Sequence, residues 1–192
     1  MAMEIRAMTG PLSHRISRGR AWSKNPDSAC LIFSYYYLQV REPHWPPPGL
    51  SKPSLLLPIL NLGVLGATSL ALFWALRSVR RDGQAGLRLG LSAAFGLGVM
   101  FLALQGIEWT QWGFTPDLNA YTSVFGTLAG LQSVFVLLGL ILTGVVGLHA
   151  WLGYFNAWRF LAVENVANYW AFVAVHWLVL LGVLYVTPYL VA

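Results

Sequence analysis

Residues 121–148 contain no Asp, Glu, Lys, Arg or His. A helix over that stretch rises about 42 Å, more than the roughly 30 Å hydrocarbon core of a bilayer, so it crosses with tilt. Three further stretches, 54–76, 88–109 and 165–190, are also apolar enough to span. Composition agrees: hydrophobic residues make up 57% of the 192, charged residues 10%, and the mean hydropathy is +0.60. Soluble domains carry about 25% charged residues. So few charges cannot clothe a water-soluble surface, and the chain reads as a polytopic membrane protein, all-α in class.

The remaining segments set the topology. Residues 1–27 form a basic tail with Arg6, Arg15, Arg18, Arg20 and Lys24. Residues 28–40 are apolar and aromatic but shorter than the roughly 17–25 residues of a full span. A loop follows, with the rigid run Trp45-Pro46-Pro47-Pro48-Gly49. Arg77, Arg80, Arg81 and Arg88 bracket the next connection, Thr115-Pro116-Asp117 marks another, and residues 149–163 form a semi-polar loop containing Arg159.

Counting 28–40 as a span gives five helices, with ten Lys or Arg on one side and only Arg41 and Lys52 on the other. Without it the count is seven against five, and the bias that normally marks the cytoplasmic face disappears. The expected fold is therefore a single transmembrane domain over 28–192, a bundle of five helices with the first one short or irregular. Its N-terminus is expected in the cytoplasm and its C-terminus outside. The first helix is expected to begin among residues 20–28, with Pro26 in its first turn.

The charge distribution suits topology and not nucleic acid, since no basic run is interleaved with stacking aromatics in a polar region. Cys30 is the single cysteine, so no intrachain disulfide forms. No apolar stretch ending in a small-residue cleavage site stands at the N-terminus, so no cleaved leader is expected. Gly63, Gly66, Gly96, Gly98, Gly130 and Gly139 suit close helix packing in lipid. Trp109, Trp112, Trp151, Trp158 and Trp170 fall near span ends, where an interfacial aromatic belt is expected.

Several motifs, in order and in the right spans, resemble the subunit III family of haem-copper respiratory oxidases. Phe33-Ser34-Tyr35-Tyr36-Tyr37 followed by Trp45-Pro46-Pro47 is similar to the family's aromatic helix end and Trp-Pro-Pro loop. Pro58-Ile59-Leu60-Asn61 resembles its Pro-Leu-Leu-Asn, and Gln105-Gly106-Ile107-Glu108-Trp109 its Gln-x-x-Glu-Tyr/Trp. Tyr121-x-Ser123-x-Phe125 opens the next span in the family manner. Glu164 with Tyr169-Trp170-x-Phe172-Val173-x-Val175-x-Trp177, running on to Tyr185, resembles the last.

Departures are equally clear. Gln132 and Phe135 stand in place of the family's paired histidines, and Ala171 and Ala174 in place of its His and Asp. His176 takes a position that is usually apolar. The family's buried Glu of the first matching helix has no evident counterpart in Lys24-Asn25-Pro26-Asp27-Ser28; either Asp27 substitutes or the N-terminal sequence has diverged. The two extra N-terminal helices of seven-helix members have no counterpart, as in the five-helix bacterial form.

Glu108 closes one span and Glu164 opens another on the opposite side, too far apart for a shared acid–base pair. Glu164 either favours its helix N-terminus or contacts a lipid headgroup or another subunit. Glu108 opposes the dipole at a helix C-terminus, which points to a specific partner. His149 and His176 are not spaced as a ligand set, and His176 is expected to be hydrogen-bonded inside the bundle. Glu108, Glu164, Trp170, His176 and Trp177 are the residues expected at lipid or subunit contacts.

No nucleophile–base pair, phosphate loop or thiol pair is visible, and no catalytic, cofactor-binding or metal-binding residue is assigned. The resemblance implies a non-catalytic core subunit of a proton-pumping cytochrome c oxidase in a bacterial cytoplasmic membrane. Its expected partners are subunit I directly, subunit II in the same complex, and phospholipid. Haem and copper are expected in those partner subunits, with no cofactor on this chain and no nucleic acid bound. The alternatives are the equivalent subunit of a quinol oxidase or nitric oxide reductase, or a standalone small transporter or lipid-binding protein. The transporter reading lacks paired intramembrane charges and matching interrupted helices.

Overall fold

A computed structural model describes residues 26–41, 54–112 and 118–190. Its elements are α1 (Pro26–Arg41), α2 (Leu56–Val79), α3 (Gln84–Gln111), α4 (Ala120–Trp151) and α5 (Leu161–Leu180). A π-helical turn (Leu181–Val186) and a short α6 (Thr187–Leu190) continue α5. No strand occurs among the described residues. The basic tail up to residue 25, the 45–49 run and Thr115-Pro116-Asp117 lie outside them.

Among the described residues, four helices are long and apolar enough to cross a membrane: α2, α3, α4, and α5 with its continuation to Tyr189. The fifth, α1, has 16 described residues, rises about 24 Å and falls short of that standard, as its composition led us to expect.

The four long helices close into a ring. Each packs against two others, α2 on α3, α3 on α4, α4 on α5 and α5 on α2, while α1 lies outside against α4. The buried Tyr35 ring holds α1 there, 6.0 Å from the ring of Tyr121.

In lipid, apolar surface alone does not drive helices together, so close packing and hydrogen bonds must. Glycine placement shows how the ring meets that demand. At Gly90 the α2 and α3 backbones approach so nearly that an added Cβ would sit 2.7 Å from the Ala75 methyl and 2.8 Å from the Ala71 carbonyl oxygen. Gly98 of α3 and Gly139 of α4 face the Trp170 indole in the same way, at 2.8 and 3.0 Å.

Two of the six glycines singled out from the sequence therefore make close contacts. Gly63, Gly66, Gly96 and Gly130 have nothing within 4 Å. Trp170 corrects a second expectation. It is wholly buried in the ring and is no part of an interfacial belt, whereas Trp109, Trp151 and Trp158 are exposed as a belt requires.

The turn between α2 and α3 is tied to the connection between α4 and α5. Asp82 adopts φ +56°, the left-handed conformation in which a helix commonly ends. The following N–H, of Gly83, returns to the Ser78 carbonyl at 2.9 Å. Asp tolerates this conformation better than most side chains, and its carboxylate accepts the Ala157 N–H at 2.8 Å. Gln84 donates to the Phe155 carbonyl at 2.7 Å, and Arg88 to that of Ala150 at 3.3 Å.

Gly90→Ala should lower stability by about 1–3 kcal/mol, because the obstructing atoms include backbone and cannot rotate away. Gly63→Ala, with open space around it, should leave stability unchanged or raise it by up to about 1 kcal/mol through helix propensity. Thermal unfolding of the two purified variants in detergent checks the contrast.

Candidate functional site

At the end of the ring away from the Arg77–Arg88 turn, α3 buries Phe101, Gln105 and Glu108. Their spacing of four and three residues places them on one helical face. Glu108 is only 2% exposed. A carboxylate at such a depth is costly unless it is met by hydrogen-bond donors. Its donor is the Tyr185 hydroxyl, which bonds to Glu108 Oε1, and the Trp112 side chain approaches the same carboxyl group.

The π-helical turn accounts for Tyr185 being there. A π turn inserts an extra residue into the helical repeat. Within Leu181–Val186, three successive residues, Val183, Leu184 and Tyr185, are buried. Three consecutive inward side chains exceed what one stripe of a regular α-helix supplies.

Aromatic rings complete the enclosure. Phe125 of α4 meets Tyr185 edge-on at 5.4 Å and Trp112 at 5.0 Å. Trp177 lies 6.2 Å from Tyr185 and 5.4 Å from Phe101. Its indole N–H donates to the Pro58 carbonyl of α2 at 3.1 Å. The Pro58, Glu108, Phe125, Trp177 and Tyr185 positions thus bring all four ring helices to one end.

A second polar site lies between α4 and α5. Gln132 Nε2 donates to the Val173 carbonyl at 3.4 Å, which turns its oxygen toward His176 Nδ1 at 2.6 Å. An amide oxygen only accepts, so in this arrangement His176 carries a proton on Nδ1. Phe135 packs edge-on to the imidazole at 5.2 Å and Phe172 stacks at 6.1 Å. His176 is hydrogen-bonded inside the bundle, as expected. Its partner Gln132 stands where the resembling family has a histidine.

Glu164 lies at the opposite end from Glu108. It sits in the first turn of α5 and pairs with Arg80, which caps the C-terminus of α2, at 3.1 Å. The guanidinium also lies over the Phe160 ring at 4.8 Å. Both side chains remain partly exposed, so the pair contributes at most about 1 kcal/mol.

Of the five expected contact residues, Trp170 and Trp177 are wholly enclosed by this chain's own helices. Trp170 Nε1–H donates to Thr143 Oγ1 at 2.8 Å. The specific partner sought for Glu108 is the internal Tyr185. Glu164 and His176 retain an outward face. No three His, Cys, Asp or Glu side chains come together among the described residues. Tyr185 and Gln132 were not among the expected contact residues, because the π turn that buries Val183, Leu184 and Tyr185 together leaves no periodic signature in an apolar stretch.

Tyr185→Phe should cost about 1.5–3 kcal/mol, since it removes a donor from a buried acid. Added to Glu108→Gln, it should cost less than the two single changes combined. Thermal unfolding of the single and double variants in detergent measures this coupling; strict additivity would show that the two groups act independently.

Comparison with known proteins covers the same helices. The family model described as Cytochrome c oxidase subunit III matches residues 38–189. Cytochrome c oxidase subunit 3 of Thermostichus vulcanus is 27% identical over 157 residues, 81% of this chain and 78% of that protein. That of Synechocystis sp. (strain ATCC 27184 / PCC 6803 / Kazusa) is 30% identical over 156 residues, 81% and 67% respectively. For the protein of the same name from Ornithorhynchus anatinus the figures are 31% over 137 residues, 71% of this chain and 52% of the longer relative. The matched region contains the Glu108–Tyr185 pair, the Gln132–His176 pair and all four ring helices, and the chain belongs to the cytochrome c oxidase subunit III family.

Proposed function

We propose that this chain is a non-catalytic core subunit of a bacterial cytochrome c oxidase, stabilising the catalytic subunit, binding phospholipid and supporting proton uptake. Subunit I is its direct partner and subunit II shares the complex. Haem and copper reside in those partners. The chain sits in the cytoplasmic membrane with its N-terminus and the Arg77–Arg88 turn on the cytoplasmic side, following the ten-to-two distribution of Lys and Arg.

The observation that carries this reading is the filling of the helix ring. Phe101, Trp170, Trp177 and Tyr185 occupy its centre, each fully buried. Space that a redox subunit would devote to a prosthetic group is taken up here by the chain's own aromatic rings. A well-packed interior in lipid yields a rigid body, and rigidity is what a supporting subunit supplies.

The outer surface suits lipid and neighbouring helices. Leu70 and Phe73 of α2, Leu89 of α3, Ile141 and Val145 of α4, and Val175 and Leu178 of α5 all point outward. At the basic end, Arg77 and Arg80 flank Phe73 and Trp74 around a surface cleft of about 440 Å³. Guanidinium groups beside aromatic side chains suit a phosphate headgroup with its acyl chain alongside. Glu164, through its bond to Arg80, then sets the position of that guanidinium.

Mild purification from the native membrane should bring a complex whose visible spectrum contains haem a, with copper present. A homogeneous preparation free of haem overturns the subunit reading. In the complex, Glu164→Gln should leave initial oxidase activity nearly intact while shortening the working lifetime or reducing the phospholipid retained. Lifetime and lipid content equal to wild type would reduce Glu164 to a structural ion pair with Arg80.

A further inference from the structure

Toward the Glu108 end of the ring, two buried amides have hydrogen-bonding capacity that no group among the described residues meets. Asn61 of α2 is 0% exposed and Gln105 of α3 is 1% exposed. Both polar atoms of each amide are buried without a hydrogen-bond partner. Each unmet buried polar group costs about 1–3 kcal/mol. Two whole amides left so inside one bundle are exceptional, because buried polar side chains are nearly always bonded to protein or to ordered water.

Helix register brings the two amides to one level. Gly90 of α3 lies opposite Ala71 and Ala75 of the antiparallel α2. From Ala75 back to Asn61, and from Gly90 forward to Gln105, the chain climbs about 21 and 22 Å at the α-helical rise. Both amides face into the ring, since neither reaches solvent or lipid.

Trp177 marks the same level independently. It donates to the Pro58 carbonyl, one turn before Asn61, and packs on Phe101, one turn before Gln105. Packed helices stand about 8–10 Å apart, a span that two amide side chains and one small polar molecule bridge. Gln105 is also one turn from Glu108 on the buried face of α3.

We propose that Asn61 and Gln105 hold ordered water in an internal polar site between α2 and α3, adjoining the Glu108–Tyr185 pair. Water is the occupant that fits: it donates and accepts, as both amides require, and a buried molecule typically makes about three hydrogen bonds. Ordering it costs at most about 2 kcal/mol, less than leaving four amide atoms unmet. The site gives α3 a continuous polar strip, Gln105 to Glu108, enclosed within otherwise apolar spans.

Two measurements on the complex purified from its native membrane test the site. A high-resolution cryo-electron microscopy map should show discrete water density within hydrogen-bonding reach of both amides. Density in which the two amides bond directly to each other, or in which no water adjoins them, overturns the proposal. Asn61→Leu and Gln105→Leu should each lower the unfolding temperature by about 2–4 °C. The double variant, which removes both reasons for water to be there, should fall no further than the worse single variant. A double variant that loses the sum of the two shifts shows that the amides share no occupant.

Discussion

The Trp170 indole, wedged between Gly98 of α3 and Gly139 of α4 and hydrogen-bonded to Thr143, sets the distances on which the ring depends. Helices in lipid gain little from burying apolar surface against each other, so a large rigid ring in a fitted socket supplies the contact. Trp177, two turns further along α5, repeats the device with Phe101 and the Pro58 carbonyl. With Val173 and Leu180 these tryptophans form one buried stripe along α5. That stripe makes α5 the spine against which α2, α3 and α4 are positioned.

The π turn changes what the spine presents. Up to Leu180 the buried residues follow the ordinary helical spacing; beyond it Val183, Leu184 and Tyr185 turn inward together. Tyr185 thereby reaches Glu108, and one buried acid finds its donor. Placing an acid in the ring interior would be ruinous without that bond, so the irregular turn and the carboxylate are parts of one arrangement. Asn61 and Gln105, one turn away on two helices, extend the polar character of this end without exposing it to lipid.

The two ends of the bundle obey different physics. At the Glu108 end, polar groups are buried and each hydrogen bond carries weight because no solvent competes for it. At the Arg80 end, Asp82 and Gln84 bind loop backbone, Arg88 binds the last turn of α4, and the Arg80–Glu164 pair is partly exposed and individually weak. The two connections are held there by several modest bonds, while the opposite end is held by a few that are hard to replace.

Helix number, class and approximate limits were legible in the residues themselves, because lipid demands long uncharged stretches and leaves little freedom in where they begin and end. Motif order pointed to the family for a related reason: Gln105-x-x-Glu108 and the aromatic run around Trp170 are groups that a membrane interior tolerates only in particular surroundings. Inward and outward faces were far less legible. An apolar helix between apolar neighbours and apolar lipid has no amphipathic stripe to read, so Trp170 resembled a belt residue and Gly90 went unremarked. Only the packed ring distinguished Gly98 and Gly139 from the glycines facing open space, turned Tyr185 onto Glu108 through the π turn, and set His176 against Gln132. The Gln132–His176 and Glu108–Tyr185 pairings join residues 44 and 77 positions apart, and their geometry exists only once four helices share one interior.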